Sequence, residues 1–309
     1  MPKYVLGHRL KGEGARLELM SELLDPMHRR YIDALGVVRP GARTLEVGCG
    51  NGSISAWLAE RVSPGGTAVA VDLDLSLIHF RMQNLELRRA DILAGPIEHG
   101  AFDLVTARAV LHHVADPETA MANMTASLRA GGALLLIEPD FLPVSVAEPP
   151  DVRAFWDGWL AWSRERGIDY HIGRTLAPRL ASLGLTNISG TAETAIYNGG
   201  SLWADYWIET VTELRGDLIS SGKLDATLVD RFLACCSDSN WWTQTIAFTA
   251  VHGRTLGGQP AAPVVILRQS SNFGGATVSG VYVNRDCPKH FYIDAAASTG
   301  GAQFEWGDR

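Results

Sequence analysis

The stretch Leu45-Glu46-Val47-Gly48-Cys49-Gly50-Asn51-Gly52 decides the fold class. It continues a strand-like run that starts at Thr44, and its three glycines form a turn that leads into a helical segment at 53–62. Glycine allows a ligand to approach the backbone closely. In a doubly wound sheet, such a turn lies at the carboxyl end of the first strand, where ligands bind. Taken alone, the turn also fits an ordinary tight turn or a dinucleotide site.

Strand-like runs and helical segments alternate after this turn. Strands are predicted at 44–47, 68–71, 102–107 and 133–137, with another that reaches 89–91, and helices at 53–62 and 117–128. A shorter helix is predicted between the second and third strands. Such alternation is typical of a parallel sheet covered on both faces. We therefore expect an α/β fold with a doubly wound, Rossmann-like sheet.

Helical periodicity outside this core predicts further elements. An apolar stripe over 17–35 predicts an N-terminal helical cap, which Pro26 should break in two. Tryptophan-rich stripes predict lid helices near 150–170 and 201–235. The run at 242–252 has the pattern of a last strand of the sheet.

The chain is predicted to divide into two regions. Residues 1–254 form one domain that includes the cap and the lids. Residues 255–309 carry 8 glycines and short β-prone pieces at 264–267, 281–283 and 291–293, without a helical period. We expect these residues to form a β-prone appendage of unknown role.

Composition limits the classes of function. The 309 residues include 27 Lys and Arg against 34 Asp and Glu, a net charge of −7, and 46% are hydrophobic. An acidic balance argues against a surface that neutralises phosphates, so nucleic acid is not expected as a partner. The N-terminus lacks an apolar run of signal-peptide length, and no stretch approaches the roughly 20 apolar residues that span a bilayer. We expect a cytoplasmic protein without membrane contact; homo-oligomers are possible.

The four cysteines predict neither a disulfide framework nor a metal site. Cys49, Cys235, Cys236 and Cys287 include one adjacent pair, whose members cannot easily bridge to each other. None of the spacings forms the CxxC pair that is typical of zinc sites.

Three carboxylates near strand ends outline a nucleoside site. Glu46 lies inside the first strand, where a buried carboxylate needs a cationic or donor-rich partner. Asp72 ends the second strand, where a carboxylate can accept both hydroxyls of a ribose. Asp91 follows the third strand and is placed to accept from an adenine amine, while Leu73 and Ile92 offer apolar faces to the ring. These residues predict a bound nucleoside with an amino-acid-like end.

With these motifs, the chain resembles the class I S-adenosylmethionine-dependent methyltransferases, similar to those of quinone and secondary-metabolite biosynthesis. The resemblance spans roughly residues 4–254. Its motifs are 45–52, Asp72, 89–91, 102–105 with 111–117, and 128–132. It implies a seven-stranded sheet whose last strand is antiparallel.

The resemblance also implies a cofactor, S-adenosylmethionine, and the residues that bind it. The glycine turn would lie under the methionine part, Asp72 on the ribose and Asp91 on the adenine amine. Backbone groups around Ala107 and Arg108 would face the methionine end. The implied cofactor-binding residues are Glu46, Gly48, Cys49, Gly50, Asn51, Gly52, Asp72, Leu73, Asp91, Ile92, Ala107 and Arg108.

Two other functions fit part of the pattern. An NAD-linked oxidoreductase also uses a glycine turn and a ribose carboxylate, but the third glycine of its motif would have to fall at Ser53. A methyltransferase fold that binds the cofactor without methylating is the second alternative, since a fold does not fix a function.

Methyl transfer from a sulfonium is an in-line displacement that depends on positioning in a dry pocket. The lid aromatics Trp156, Trp159, Trp162, Trp203, Tyr206 and Trp207 could wall a small aromatic or apolar acceptor, although tryptophans at helical spacing often only pack. Oxygen, nitrogen and carbon acceptors all fit such a lid.

An acceptor that loses a proton needs a base. His112 and His113 are the leading candidates, because they follow the fourth strand at the ligand-binding edge. Glu138 and Asp140, after the fifth strand, are alternative bases or substrate anchors. In the N-terminal segment, Tyr4 and Arg16 are candidate contacts to the cofactor carboxylate or the substrate.

Overall fold

The computed structural model describes residues 12–147, 149–257, 269–273 and 276–280. Its α-helices are α1 (Glu13–Leu35), α2 (Ser53–Val62), α3 (Pro117–Ser127), α4 (Pro150–Glu165), α5 (Leu176–Ser182), α6 (Leu202–Ser220) and α7 (Ala226–Ser237). Its strands are β1 (Arg43–Val47), β2 (Thr67–Asp72), β3 (Leu85–Arg89), β4 (Phe102–Arg108), β5 (Leu128–Asp140), β6 (Thr186–Glu193), β7 (Ile196–Asn198), β8 (Trp242–Gln244), β9 (Ala247–Arg254), β10 (Gln269–Phe273) and β11 (Ala276–Gly280).

Seven strands form one sheet in the order β3-β2-β1-β4-β5-β9-β6. The strands from β3 to β5 pair in parallel, whereas β9 is antiparallel to both β5 and β6. The order reverses between β1 and β4, so the carboxyl ends of these two strands border the crevice in which doubly wound sheets bind ligands. The predicted seven-stranded, mostly parallel sheet is confirmed.

Both faces of the sheet are covered, which explains the unbroken apolar runs of its central strands. Along β2, Ala68 and Ala70 face a core that includes Leu58 of α2, while Val69 and Val71 face a second core that includes Met121 of α3. Alternate side chains of one strand thus pack on opposite sides.

The predicted break of the first helix at Pro26 is wrong, because α1 runs through this proline. An interior proline removes one backbone hydrogen bond and costs about 3 kcal/mol. Buried side chains on both sides of it, Leu24 and Met27 among them, offset this cost, since each fully buried aliphatic side chain contributes about 1.5–3 kcal/mol. Packing therefore overrides the local preference.

The short helix predicted between the second and third strands is also wrong. Residues 73–84 contain no helix, and their backbone forms turns. The Asp72 side chain accepts from the Asp74 backbone N–H, and the Asp74 side chain accepts from the Ser76 N–H. Such local side-chain bonds compete with helix formation.

The single last strand predicted at 242–252 is two strands in the structure. β8 pairs with β7 in a separate two-stranded sheet, while β9 joins the main sheet. The chain changes partner at Thr245, whose N–H donates to the Ala195 carbonyl and whose hydroxyl accepts from the Trp207 indole N–H.

The chain separates into compact units of residues 1–264 and 265–309. In the second unit, the described residues form an antiparallel pair, β10 with β11. The β-prone pieces predicted at 264–267, 281–283 and 291–293 lie outside the described residues, so the boundary at 254 and the role of the appendage stay predictions. None of the helices in the described ranges is long and apolar enough to cross a membrane.

Candidate active site

The glycine turn after β1 has a backbone that glycine adopts most readily. Gly48, Gly50 and Gly52 have φ angles of 71°, 54° and 81°. A Cβ atom on Gly48 would lie 2.3 Å from Cγ2 of Val110, which follows β4. The Gly48 N–H also donates to the carbonyl of Val71, with a nitrogen–oxygen distance of 2.8 Å. The turn therefore fits closely against the ends of β2 and β4.

Asp72 joins this turn to the end of β2. Its Oδ2 accepts from the Gly50 N–H at 3.0 Å, and its Oδ1 accepts from the Asp74 N–H at 3.2 Å. An ionised carboxylate has about four acceptor positions, so Asp72 retains capacity for two further donors. The neighbouring Leu73 is 57% exposed.

Asp91 lies at the same edge of the sheet, two residues after β3. Its Oδ1 accepts from the Leu93 N–H at 2.9 Å and so caps a short 3-10 turn, Ile92–Ala94. Ile92 is 5% exposed and packs in the core on the α3 side. Because Asp72 pairs in register with Arg89, the carboxylates of Asp72 and Asp91 follow neighbouring strand ends.

Glu46 is buried in β1, and its donor is a hydroxyl. The Ser55 hydroxyl in α2 donates to Oε2 of Glu46. Burial raises the pKa of Glu46 to about 8, although the Ser55 hydrogen bond and the Arg108 charge lower it. Glu46 therefore braces α2 against β1. Cys49 is also buried, and burial raises the pKa of its thiol, so this thiol is a poor nucleophile.

Helix α1 covers the glycine turn. The Asn51 amide in the turn donates to the Ser21 hydroxyl at 3.0 Å, and the Ser53 hydroxyl lies 3.1 Å from the same oxygen. Leu17 side-chain atoms would lie 3.6 Å from a Cβ on Gly50. Sequence reasoning named Tyr4 and Arg16 in this segment and missed Ser21; Tyr4 lies outside the described residues.

A buried ion pair ties α1 to the end of β4. Arg108 donates to Oδ1 of Asp25 at 2.8 Å, and the Ser53 hydroxyl donates to the same oxygen at 3.1 Å. Ala107, fully buried, pairs in register with Val47 at the start of the glycine turn. Asp25 lies 83 residues from Arg108 along the chain, so no local pattern predicts the pair.

Glu138, in β5, organises the segment that follows β4. Its carboxylate accepts from the backbone N–H groups of Val110 at 2.9 Å and Leu111 at 2.7 Å, and from Nδ1 of His112 at 2.8 Å. Just before these residues, Ala109 has a φ of 56°, which is uncommon for a residue other than glycine. Glu138 is fully buried, and it holds His112 in place.

Burial keeps both histidines neutral. It lowers the pKa of His112 to about 3, with a contribution from the Arg16 charge, and it lowers the pKa of His113 well below its ordinary value. Burial also raises the pKa of Glu138 to about 7. When ionised Glu138 accepts from Nδ1–H of His112, the lone pair of the imidazole is on Nε2. The His113 ring lies 3.8 Å from the His112 ring, between centroids.

A small cavity of about 50 Å³ lies beside the two histidines. Its walls come from α1, the segment after β4, the end of β5, the lid helices α4 and α6, and the region of β9. The lining residues are Arg16, Met20, Ala109, His112, His113, Pro139, Phe141, Trp159, Tyr170, Tyr206, Trp207, Thr210, Ile246 and Phe248. Ligand pockets usually measure ~300–1,000 Å³, so a ring-sized acceptor requires movement of these walls.

The predicted lid aromatics divide into two groups. Trp159, Tyr206 and Trp207 line the cavity. Trp156, Trp162 and Trp203 are not among the lining residues and pack against other aromatic rings. The sequence analysis missed three aromatic lining residues. Phe141 and Phe248 lie outside the predicted lid helices, and Tyr170 lies at the very end of the first one, after its tryptophans. Their place depends on how β5, the 166–171 segment and β9 meet.

Two other predicted features have defined places. Asp140, at the end of β5, accepts from Nε of Arg174 at 2.8 Å, so it is bound in an ion pair next to the cavity-lining Pro139. Arg16 pairs with the buried carboxylate of Glu13 at 2.7 Å. Across the ranges that the structure describes, no group of three or more His, Cys, Asp or Glu side chains is arranged to hold a metal ion.

Comparison with known proteins gives a family match for part of the first half of the chain. Residues 45–136 match the family model described as a methyltransferase domain. An uncharacterized 37.1 kDa protein in transposon TN4556 of Streptomyces fradiae is 37% identical over 124 residues, which cover 38% of this chain and 36% of that protein.

Two further relatives carry methyltransferase names. An uncharacterized methyltransferase of Mycobacterium tuberculosis is 36% identical over 30% of this chain and 48% of its own. A ubiquinone/menaquinone biosynthesis C-methyltransferase of Hahella chejuensis is 31% identical over 40% of this chain and 55% of its own. The chain thus spans about a third to about half of the length of these curated relatives. The match over residues 45–136, together with the seven-stranded sheet, supports a class I, S-adenosylmethionine-dependent methyltransferase domain in this part of the chain.

Proposed function

We propose that this protein transfers a methyl group from S-adenosylmethionine to a small aromatic or apolar acceptor. One observation carries the proposal: a single segment after β4 serves two neighbouring sites. Val110 of this segment closes against Gly48 of the glycine turn, while Ala109, His112 and His113 line the aromatic cavity. A cofactor in the turn and an acceptor in the cavity would therefore meet across a few residues.

The residues of the turn fit the proposed cofactor. The Asp72 carboxylate retains two acceptor positions for ribose hydroxyls, and the exposed Leu73 beside it offers an apolar surface to a purine. A cofactor of this class, when bound, supplies a methyl group activated by a sulfonium. Glu46 is buried and accepts from the Ser55 hydroxyl, so in this arrangement it supports the packing of α2 on β1, and its contact with the cofactor stays a prediction.

The residues of the cavity have three tasks in such a reaction. Aromatic walls exclude water and align a flat acceptor, and alignment supplies much of the acceleration of a displacement. Burial lowers the pKa of His112 to about 3, so it is too weak a base to deprotonate a free phenol. Its Nε2 instead receives the proton of an acceptor hydroxyl as the new bond to the methyl carbon makes that hydroxyl strongly acidic. Glu138 positions His112 through Nδ1 and fixes the backbone from Val110 to His112.

An aromatic acceptor is favoured by the cavity walls, of which Phe141, Trp159, Tyr170 and Trp207 are part. The relative from Hahella chejuensis is named for C-methylation in ubiquinone and menaquinone biosynthesis, which agrees with an aromatic acceptor. We place the reaction in secondary metabolism and in the cytoplasm, as the sequence predicts.

Two experiments test the proposal in sequence. Thermal-shift assays of the full chain should show stabilisation by S-adenosylhomocysteine and none by NAD. The chain should then be incubated with labelled S-adenosylmethionine and a panel of phenols, quinols, indoles and amines, read by mass spectrometry. A methylated product is expected. Stabilisation without any product would favour the binding-only alternative, and stabilisation by NAD alone would favour the oxidoreductase.

A further inference from the structure

The indole N–H of Trp159 is buried and has no hydrogen-bond partner. Trp159 is 1% exposed, and its Nε1 is unpaired. Of the described residues that line the aromatic cavity, Trp159 alone has a buried side-chain nitrogen or oxygen without a partner. Buried polar groups are paired in the great majority of cases, and each exception needs an explanation.

Two other buried tryptophans of the lid have acceptors for their indole N–H groups, whereas Trp241, outside the cavity lining, has none. The Trp162 indole N–H, one turn further along α4, donates to Asp217 at 3.0 Å. The Trp207 indole N–H, from α6, donates to the Thr245 hydroxyl at 3.1 Å. Trp159, Trp162 and Trp207 are each at most 2% exposed. The fold thus provides acceptors for tryptophans on both sides of Trp159.

An indole nitrogen can only donate, so the missing partner must be an acceptor. Leaving a buried donor unpaired costs about 1–3 kcal/mol. The rings of Phe155, Trp156, Trp162 and Trp207, with centroids 5.3–6.2 Å away, offer no strong acceptor. The Tyr170 ring lies 6.3 Å away, and its hydroxyl does not accept from Nε1 of Trp159. The partner can instead come from a molecule that enters the cavity.

We propose that the Trp159 indole N–H recognises an oxygen atom of an aromatic ligand in this cavity. The inference rests on the proposed function and narrows its substrate class to hydroxylated or carbonyl-bearing aromatic acceptors. The oxygen accepts a hydrogen bond from Nε1, and the ring packs between the aromatic walls. An apolar ring without such an oxygen leaves the N–H unpaired and binds less well.

A matched pair of probes isolates this contact. 4-Fluorophenol and 4-fluorotoluene differ by a hydroxyl in place of a methyl group, and fluorine NMR titration gives the dissociation constant of each on the full chain saturated with S-adenosylhomocysteine. The hydrophobic effect favours fluorotoluene. We measure the ratio of the two dissociation constants in the wild type, in Trp159→Phe and in the matched control Trp162→Phe.

The ratio should shift about fivefold against fluorophenol in Trp159→Phe, since one neutral hydrogen bond is lost. It should stay unchanged in Trp162→Phe, which loses an indole N–H outside the cavity. An unchanged ratio in Trp159→Phe, or an equal shift in both variants, would overturn the proposal.

A second measurement needs no substitution. In protein with ¹⁵N-labelled indoles, fluorophenol should move the Trp159 indole proton downfield and fluorotoluene should not. Equal shifts with both probes would overturn the proposal even if Trp159→Phe failed to fold.

The binding readout separates this inference from the proposed function. An oxygen preference that depends on Trp159, in a chain that methylates none of the panel, would support the recognition contact and contradict the enzymatic proposal. Methylation of phenols with an oxygen preference that is independent of Trp159 would do the reverse.

Discussion

The glycine turn and the aromatic cavity lie next to each other but are built in different ways. The turn is held by contacts between strands that neighbour each other in the sheet. The Asp72 carboxylate, at the end of β2, accepts from the Gly50 N–H after β1, only 22 residues away in sequence. The cavity collects single side chains from α1, α4, α6, β5 and β9. The turn thus follows a local strand-turn-helix pattern that neighbouring strand ends and α1 cover, whereas the cavity depends on the packing of single side chains from distant elements. We therefore expect cofactor affinity to respond to changes in the turn, and turnover to respond to changes in the cavity.

Replacement of Asp72 by alanine should have the largest effect. It removes two expected charge-assisted hydrogen bonds to a ribose, each worth about 1.5 kcal/mol, so affinity for S-adenosylhomocysteine should fall roughly 100-fold. Isothermal titration measures this loss. Asp225→Ala is the control, because Asp225 also accepts from a backbone N–H, at the start of α7, away from the turn. Equal affinity in the wild type and Asp72→Ala would remove the ribose assignment.

Glu138→Gln tests the segment that the two sites share. The glutamine amide can donate to Nδ1 of His112, which would place the proton on Nε2 and remove the base. With a phenol acceptor, we expect the turnover number to fall about 30-fold, with little change in KM or cofactor affinity. This loss is smaller than the roughly 100-fold or more that a positioned base typically contributes, because the lowered pKa of His112 makes it a weak base.

The pH profile separates positioning from a merely structural role. The pKa of Glu138 is raised to about 7, so wild-type turnover should rise as pH increases through about 7 and the carboxylate ionises. This limb should be absent in Glu138→Gln. The same limb in both proteins, or a change in KM alone, would show that Glu138 does not act through His112.

Gly48→Ala should weaken cofactor binding about tenfold. The added Cβ would meet Val110 at 2.3 Å, so the turn must shift. Gly222→Ala is a close control, since Gly222 has the same φ of 71° but no atom within 4 Å of an added Cβ. Both variants should lose about 1–2 kcal/mol of stability from the left-handed backbone. If both also lost cofactor affinity equally, strain rather than fit would explain the effect.

Glu46→Gln should have the smallest effect on function and a measurable one on stability. The folded pKa of Glu46 is raised to about 8, above its unfolded value, so the unfolded state loses its proton first. Wild-type stability should therefore decrease as pH rises from about 4.5 to 8. The variant lacks this decrease and should unfold at a higher temperature at pH 8.

Glu98→Gln tests a carboxylate whose effect on the pH dependence of stability has the opposite sign. Hydrogen bonds from Arg43 and Arg88 lower the pKa of Glu98 to about 2. Its stabilising contribution is present above about pH 4.5 and lost as pH falls toward 2, so this variant should be less stable than the wild type at neutral pH. Thermal unfolding at pH 5, 6.5 and 8 compares the Glu46→Gln and Glu98→Gln variants with the wild type. Parallel curves for the wild type and Glu46→Gln would contradict the buried-carboxylate interpretation.

Sequence reasoning worked best where contacts are local. The sequence predicts a helix at 53–62, directly after the glycine turn, and the structure has α2 at Ser53–Val62. Reasoning failed where tertiary contacts override local preference, as at Pro26 inside α1. It also failed at Thr245, where bonds to Ala195 and Trp207 split the last strand.

The candidate site shows the same division. Glu46 and Asp72 could be named as candidate site residues from the sequence, because each is a carboxylate in or at the end of a predicted strand. The pairing of Arg108 with Asp25 and of His112 with Glu138 joins residues 83 and 26 positions apart, and no periodicity encodes either pair. The unpaired indole N–H of Trp159 can be identified only from the three-dimensional structure, which shows that no neighbouring atom accepts its hydrogen bond.

The most direct test is isothermal titration calorimetry with S-adenosylhomocysteine, carried out on the full chain and on its Asp72→Ala variant. We expect saturable binding at one site per chain, weakened roughly 100-fold in the variant. An absence of binding at millimolar concentration, or binding that Asp72→Ala leaves unchanged, would contradict the claim that the glycine turn holds the nucleoside.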